Sequence, residues 1–201
     1  MVSRREFEKA IAAESAKEDR IVVFGALVAK ASGLRGSLVI VGGSAISVYT
    51  SGEYISADID LVGSKSRIVP ILERWGFRRD DQGDRPYWTR ADLGLVVDLT
   101  GRVRYTGHVQ GIRIFGTKYG PVSVAAPEDL IVRRLIFSKR GRKEESLNEA
   151  VLVFVQAGQG IDLEYVEARV RYEGVEDMYR EFRNRAKLVS SPEPDPDLRR
   201  G

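Results

Sequence analysis

Two aspartates one residue apart, Asp58 and Asp60, are the first side chains in this sequence whose type and spacing suggest chemistry. They lie in ADIDLV, residues 57–62, where polar and apolar residues alternate as they do along a β-strand. Side chains two apart on a strand point to the same face, so both carboxylates project together. Two carboxylates crowded on one face repel each other unless a cation lies between them. The spacing therefore indicates a metal site, although a solvated edge strand is the simpler interpretation of the tripeptide alone.

A third carboxylate, Asp98, lies within the apolar segment LGLVVDLTG, residues 93–101. An aspartate inside an apolar strand costs free energy to bury unless it is paired or bound to a metal. If this strand lies beside residues 57–62, Asp98 joins the other two carboxylates. The alternative is an aspartate at the end of a strand that caps the turn at Thr100 and Gly101.

Gly42, Gly43 and Ser44 follow the apolar run SLVIV, residues 37–41. This pattern predicts a turn from a buried strand into a short helix, with Ser44 as the N-cap of that helix. Glycines let the backbone approach a ligand closely, and the free N–H groups of a helix N-terminus suit a phosphate. Plain turn geometry explains a glycine pair equally well.

The elements that position these residues follow from hydrophobic periodicity, which predicts an α/β fold (α+β) with a mixed sheet and flanking helices. Helices are predicted at 3–17, 19–33, 44–52 and 66–76, and strands at 37–43, 57–62, 87–90, 93–100, 111–115 and 121–125. Pro127, Glu128 and Asp129 suit a helical first turn. Three or four further helices are predicted from there, at 127–139, 144–157, 162–172 and 175–187. The predicted organisation is an α/β domain over 1–125, a helical region over 126–188 and a disordered tail over 189–201.

The composition of the chain limits which metal ions and which partners are expected. The 201 residues include no cysteine and one histidine, so a metal would have oxygen ligands, as Mg²⁺ and Mn²⁺ prefer. No apolar stretch approaches the roughly 18 residues of a membrane span, and the charged N-terminus resembles no targeting signal, so we expect a cytoplasmic protein without a membrane partner. The net charge of +3 is weak support for a nucleic-acid partner. The preference for arginine and the scarcity of thermolabile residues resemble those of thermophile proteins.

Taken together, Gly42-Gly43-Ser44, the Asp58-Ile59-Asp60-Leu61 strand 13 residues later and the later Asp98 strand resemble the DNA polymerase β-type nucleotidyltransferase superfamily. The resemblance covers roughly residues 37–100. Within the superfamily, APEDLIVRRLIF, residues 126–137, is similar to a helix start in small nucleotidyltransferase proteins related to bacterial abortive-infection toxins. Those relatives usually have a lysine on this helix and an acid on the next. Here the lysine region has Arg133 and Arg134, and the next segment has Ser146, Asn148 and Glu149.

The resemblance implies an enzyme that transfers a nucleoside monophosphate from a nucleoside triphosphate, with two Mg²⁺ or Mn²⁺ ions. It implies that Asp58 and Asp60 bind both ions, and that Asp98 completes the site and accepts the proton of the nucleophile. Gly42, Gly43 and Ser44 would hold the phosphates, and Arg134, or else Arg133, would neutralise phosphate charge.

The acceptor stays open among RNA, protein and a small molecule. The basic segment at residues 138–143 suits a phosphate backbone, or else is a solvated loop. The substitutions on the two helices after the sheet leave a second function open: a weakly active or inactive binding module, such as one component of a toxin–antitoxin pair with an antitoxin partner. A third alternative is a structural protein whose three aspartates lie on different faces.

Overall fold

The computed structural model describes residues 2–81, 86–100 and 111–190. The chain divides into two compact units, Met1–Ala126 and Pro127–Gly201. Of the predicted disordered tail, residues 191–201 lie outside the described part, whereas Val189 and Ser190 belong to the last helix.

The described residues of the N-terminal unit form one seven-stranded mixed sheet. Its strands are β1 (Val39–Ile40), β2 (Ile59–Val62), β3 (Arg78–Asp80), β4 (Tyr87–Arg90), β5 (Leu95–Thr100), β6 (Ile112–Phe115) and β7 (Val122–Ala125), in the spatial order β3-β4-β5-β2-β1-β7-β6. The β1–β7 and β2–β5 pairs are parallel, and the other four pairs are antiparallel. This arrangement confirms the predicted class, an α/β fold with a mixed sheet.

In the part of this unit that the structure describes, four α-helices accompany the sheet: α1 (Arg4–Ala12), α2 (Lys17–Ser32), α3 (Gly42–Tyr49) and α4 (Lys65–Arg74). Ser3 begins α1 with a capping box, because its hydroxyl accepts from Glu6 N–H while the Glu6 carboxylate accepts from Ser3 N–H. Gly33 ends α2 in the left-handed conformation, at φ +69°. Helices α2 and α3 contact the sheet directly.

The core of this unit contains a cluster of four aromatic side chains, two from α1 and α2 and two from the segment between α4 and β3. Phe7 stacks on Trp75 with ring centroids 4.4 Å apart, and Phe24 and Phe77 close the cluster at 5.8 Å from each other. All four side chains are almost fully buried, so this cluster holds α1 and α2 against the segment after α4.

Two predictions at the start of the sheet are wrong. The predicted strand at 37–43 is only two residues long, since Gly42, at φ +58°, already begins α3. The N-cap of α3 is Val41, and Ser44 lies inside the helix. Strand β3 has no counterpart in the prediction, because its residues Arg78–Asp80 carry neither an apolar run nor an alternating pattern.

Up to residue 190, where the described part ends, the C-terminal unit contains four α-helices close to the predicted bounds: α5 (Pro127–Lys139), α6 (Lys143–Ala157), α7 (Leu163–Glu173) and α8 (Glu176–Ser190). Helix α5 contacts each of the other three. Asp162 begins α7 by accepting a hydrogen bond from Tyr165 N–H at 2.9 Å. In the described part of the chain, no helix combines the length and the apolar composition that crossing a membrane requires.

Candidate active site

The strand that carries Asp98 lies beside the strand that carries Asp60. β2 and β5 run parallel, and the register places Asp60 directly opposite Asp98, with Asp58 immediately before β2. One carboxylate oxygen from each of the three residues lies within 4.8 Å of the other two. Asp98 is 2% exposed inside β5, whereas Asp58 and Asp60 are half-buried. The three carboxylates therefore form one cluster on one face of the sheet.

The three carboxylates repel one another, and this repulsion changes the pKa of Asp60. Burial and the neighbouring Asp58 carboxylate raise the pKa of Asp60 from 3.8 to about 6, and Asp98 adds to this shift. Hydrogen bonds from the backbone N–H groups act in the opposite direction and are outweighed. A cation bound among the three carboxylates would relieve this repulsion.

The predicted glycine turn lies against the same cluster. Gly43 N–H donates to Asp60 Oδ2 at 3.0 Å, so the start of α3 faces the carboxylates. Gly42 has no room for a side chain, because a Cβ there would lie 2.7 Å from Asp60 Cγ. The φ of Gly42 is +58°, a conformation that other residues rarely adopt. Both this conformation and the close Asp60 carboxylate therefore favour glycine at position 42.

Ser44 lies at this turn, but its hydroxyl is engaged with β2. Ser44 Oγ donates to Asp58 O at 2.8 Å and accepts from Asp60 N–H at 2.9 Å. The residue is fully buried. Its one proton is thus already donated, and any contribution to phosphate binding is indirect.

Two residues of the segment between α3 and β2 complete the surroundings and were not predicted. Ser56, which is buried, donates to Asp58 Oδ1 at 3.4 Å. A Cβ on Gly43 would lie 2.9 Å from Ser56 Oγ and 3.1 Å from Tyr54 Oη, so both hydroxyl groups contact the turn. The sequence offered no signal for them, since serine and tyrosine in a loop are common.

A cavity of about 20 Å³ lies beside Asp58, at the beginning of β2 and β5. Lys17 and Arg20 of α2 line it together with the backbone near Gly94. Arg20 Nη2 donates to Leu93 O at 2.7 Å, which ties α2 to the start of β5. The cavity offers space for about one water molecule.

The predicted phosphate-binding arginines lie on α5 in the C-terminal unit. Arg134 Nε forms an ion pair with Glu149 Oε2 on α6 at 2.7 Å, and both side chains are nearly buried, at 13% and 9% exposure. Arg133 is exposed, and its guanidinium lies 5.0 Å from the centre of the Phe137 ring. In the basic segment, Lys139 pairs with Asp177 and Lys143 with Glu181. The positive charge of Arg134 is therefore already balanced inside its own unit.

The donor set fits a hard divalent cation. Three carboxylates offer oxygen atoms alone, which are the ligands that Mg²⁺ and Mn²⁺ prefer. The backbone N–H of Gly43 beside Asp60 fits an additional anionic ligand that arrives with such a cation.

Comparison with known proteins supports the α/β fold described above. No protein-family profile and no curated sequence matches the chain. An antigenic nucleotidyltransferase-like protein from Paracoccidioides brasiliensis superposes with a TM-score of 0.53 at 15% identity, covering 84% of this chain and 94% of that one. The crystal structure of ANT(2")-Ia with adenylyl-2"-tobramycin superposes with a TM-score of 0.49 at 19% identity, covering 81% and 95%. The solution structure of this antibiotic-resistance factor gives 0.48 at 19% identity, covering 80% and 96%.

At these identities the likeness concerns the fold alone. The chain has the mixed α/β fold of nucleotidyltransferase-like proteins, with a cluster of three aspartates that could bind a metal. The narrower resemblance to proteins related to abortive-infection toxins stays a prediction.

Proposed function

We propose that this protein is a metal-dependent nucleotidyltransferase that transfers a nucleoside monophosphate from a nucleoside triphosphate to a hydroxyl group of an acceptor. The observation that carries the proposal is the cluster of Asp58, Asp60 and Asp98, with the glycine turn of α3 donating a hydrogen bond into it. Carboxylates for a divalent cation and N–H groups for phosphates then lie side by side.

Each part of the site has a role in this proposal. Asp58 and Asp60 bind the metal ions that accompany the triphosphate, and Asp98 completes the ligand set. Bound Mg²⁺ or Mn²⁺ would neutralise charge on the pyrophosphate and lower the pKa of the acceptor hydroxyl. The N–H groups around Gly42 and Gly43 hold the β- and γ-phosphates. Gly43 N–H donates to the Asp60 carboxylate in this structure. In the proposed complex it would donate to a phosphate oxygen instead.

In the proposed reaction the acceptor oxygen forms a bond to the α-phosphorus. The bond from that phosphorus to the oxygen of the β-phosphate breaks, and pyrophosphate leaves with the electron pair. The proton of the acceptor hydroxyl passes to a carboxylate oxygen of Asp98. The low exposure of Asp98 keeps competing water away from that oxygen.

The ion pair between Arg134 and Glu149 favours a second candidate, a binding module of this fold with weak or absent transfer. A cation that is balanced by a carboxylate contributes less to phosphate binding than a free one. Such a module would bind a triphosphate with a divalent cation, and its partner would be a protein such as an antitoxin, or an RNA.

Transfer is tested by incubating the protein with each of the four α-labelled nucleoside triphosphates, Mg²⁺ or Mn²⁺, and RNA plus protein from a cell extract. We expect label on one class of macromolecule, or on a small molecule in the same extract. The double variant Asp58→Ala/Asp60→Ala should transfer nothing. Asp81→Asn is the matched control, because Asp81 is exposed, pairs with Arg79 and does not belong to the cluster. Triphosphate binding without label in any fraction would favour the binding module.

The site assignment is tested separately by Asp60→Asn. This variant should lose metal-dependent triphosphate binding, because a neutral amide is a weaker ligand than a carboxylate. The fold should survive, since the change removes one of three repelling charges. Calorimetric titration with a non-hydrolysable triphosphate measures the affinity, and far-UV circular dichroism checks the fold. An unchanged affinity in a folded variant would contradict the assignment.

A further inference from the structure

Among the residues that the structure describes, no strand pairs with β2 on the β1 side at the end that carries the aspartates. Within the described β1–β2 pair, the register covers only Val39 with Val62 and Ile40 with Leu61. Val41 N–H then donates to Asp60 O at 3.0 Å, and the chain turns into α3. Asp60 N–H and Asp58 C=O point to this same side. An open strand edge normally leaves such groups to water, and burying them unpaired is costly.

The Ser44 hydroxyl makes the hydrogen bonds that a neighbouring strand would otherwise make. It accepts from Asp60 N–H at 2.9 Å and donates to Asp58 O at 2.8 Å. A hydroxyl can do both at once, as the N–H and C=O groups of a neighbouring strand do together. The two bonds join the backbone on either side of Ile59 to one point on α3. They therefore restrict the segment from which both carboxylates project.

We infer that Ser44 is a positioning residue of the metal site, which holds Asp58 and Asp60 in place through their backbone and does not contact phosphate. This inference rests on the proposed function. It differs from the role that the sequence suggested, in which the hydroxyl binds the triphosphate. The hydroxyl has a single proton, and Asp58 O already accepts it.

The two roles predict different losses. A serine that contacts phosphate matters when the triphosphate is present and leaves the affinity for the metal alone unchanged. A serine that positions the carboxylates matters for the metal alone. Removing a group that orients metal ligands typically weakens metal binding about 10- to 100-fold.

The chain offers a matched control one helical turn away. Ser47, also on α3, is fully buried like Ser44. Among the described residues, Ser47 Oγ has no hydrogen-bond partner. Ser47→Ala therefore makes the same change of atoms in the same helix without breaking a hydrogen bond.

The experiment measures the dissociation constant of Mn²⁺ alone for the full chain carrying Ser44→Ala or Ser47→Ala, by electron paramagnetic resonance. We expect Ser44→Ala to weaken Mn²⁺ binding about 10- to 100-fold and Ser47→Ala to leave it unchanged. Equal Mn²⁺ affinity in the two variants, with triphosphate affinity lost in Ser44→Ala, would overturn the inference and restore the phosphate contact.

Amide hydrogen exchange gives a second measurement that does not depend on the metal. The Asp60 amide should exchange faster in Ser44→Ala than in Ser47→Ala. A wild type that binds no Mn²⁺ would contradict the proposed function, and equal exchange rates would overturn the inference on their own. If Ser44→Ala does not fold, Ser44→Cys makes the same comparison, because a thiol fills the position of the hydroxyl but is a weak donor and a weak acceptor.

Discussion

At the scale of single residues, Asp60 connects the neighbouring strand β5, the glycine turn and Ser44. It lies opposite Asp98, accepts from Gly43 N–H and has its backbone N–H bonded to Ser44. Its raised pKa follows from burial beside Asp58. The fold disfavours the negative charge of the Asp60 carboxylate, and a bound cation would stabilise it. This combination is typical of a carboxylate that binds a metal.

The raised pKa of Asp60 predicts how stability changes with pH in the metal-free protein. Between pH 4 and 6 the folded state binds more protons at Asp60 than the unfolded state, since the pKa rises from 3.8 to about 6 on folding. The free energy of unfolding should therefore fall as pH rises through this range, by up to about 3 kcal/mol from this residue.

Urea unfolding at a series of pH values, with a chelator present, measures this effect. The difference between wild type and Asp60→Asn reports the titration of Asp60 together with its coupling to Asp58 and Asp98, because groups outside the cluster titrate alike in both proteins. Asp81→Asn should keep the wild-type dependence. Parallel pH profiles for wild type and Asp60→Asn would contradict the assigned pKa.

At the scale of elements, the beginning of α3 is adapted to its contact with β2. The left-handed Gly42 turns the chain sharply after β1, and the absence of a Cβ there leaves space for the Asp60 carboxylate. The following N–H groups then face the cluster. The short β1 is the consequence, because an early turn ends the strand.

Gly42→Ala should displace the Asp60 carboxylate and weaken Mn²⁺ binding. The left-handed conformation itself costs alanine about 1 kcal/mol of stability. Gly94→Ala is the control, because Gly94 has a similar φ of +62° and a Cβ there would meet no described atom within 4 Å. Both variants should lose stability in urea unfolding, and only Gly42→Ala should lose metal affinity. Equal metal affinity would show that the space beside Asp60 is unimportant.

The pair of helices α5 and α6 has its own electrostatic contact, between Arg134 and Glu149. Both side chains are largely removed from water, so the partners depend on each other more than an exposed pair does. This contact gives Arg134 a structural role within the C-terminal unit, whatever it contributes to phosphate binding.

Arg134→Met should lower the free energy of unfolding by about 3 kcal/mol, because it removes the cation beside a nearly buried carboxylate. Glu149→Leu added to it should recover most of the loss. Urea unfolding of the two single variants and the double variant measures the coupling between them. Wild-type stability of Arg134→Met together with weaker triphosphate binding would instead assign Arg134 to phosphate.

At the scale of the whole molecule, the three aspartates and the glycine turn all belong to the unit Met1–Ala126, and Arg134 belongs to the other. Both tryptophans of the chain, Trp75 and Trp88, also lie in the first unit and are nearly buried. Tryptophan fluorescence therefore reports unfolding of the unit that contains the candidate metal site. Circular dichroism reports the helices of both units.

Mg²⁺ at about 100 times its dissociation constant should stabilise the folded protein by about 2.7 kcal/mol, which corresponds to roughly 5 to 10 °C in the melting temperature. The shift should appear in the fluorescence transition. Asp58→Ala/Asp60→Ala should show none, and Asp81→Asn should behave like wild type. A shift seen only by circular dichroism would place the metal in the other unit.

The sequence by itself determined the local structure and the local chemistry. Period-two alternation placed Asp58 and Asp60 on one face, and the 3.6-residue period with Pro127 predicted the four C-terminal helices near their observed bounds. These patterns depend on residues within a few positions of each other, so one sequence is enough to detect them.

The tertiary structure decided what depends on distant residues. Only strand pairing places Asp98 opposite Asp60, because the choice of neighbours in a sheet depends on packing over the whole unit. The same holds for the Ser44 hydroxyl, which binds β2 and does not cap α3, and for Arg134, which pairs with Glu149. A side chain that could bond to several partners bonds to the one that the fold brings near it. The order of residues along the chain does not show which partner that is.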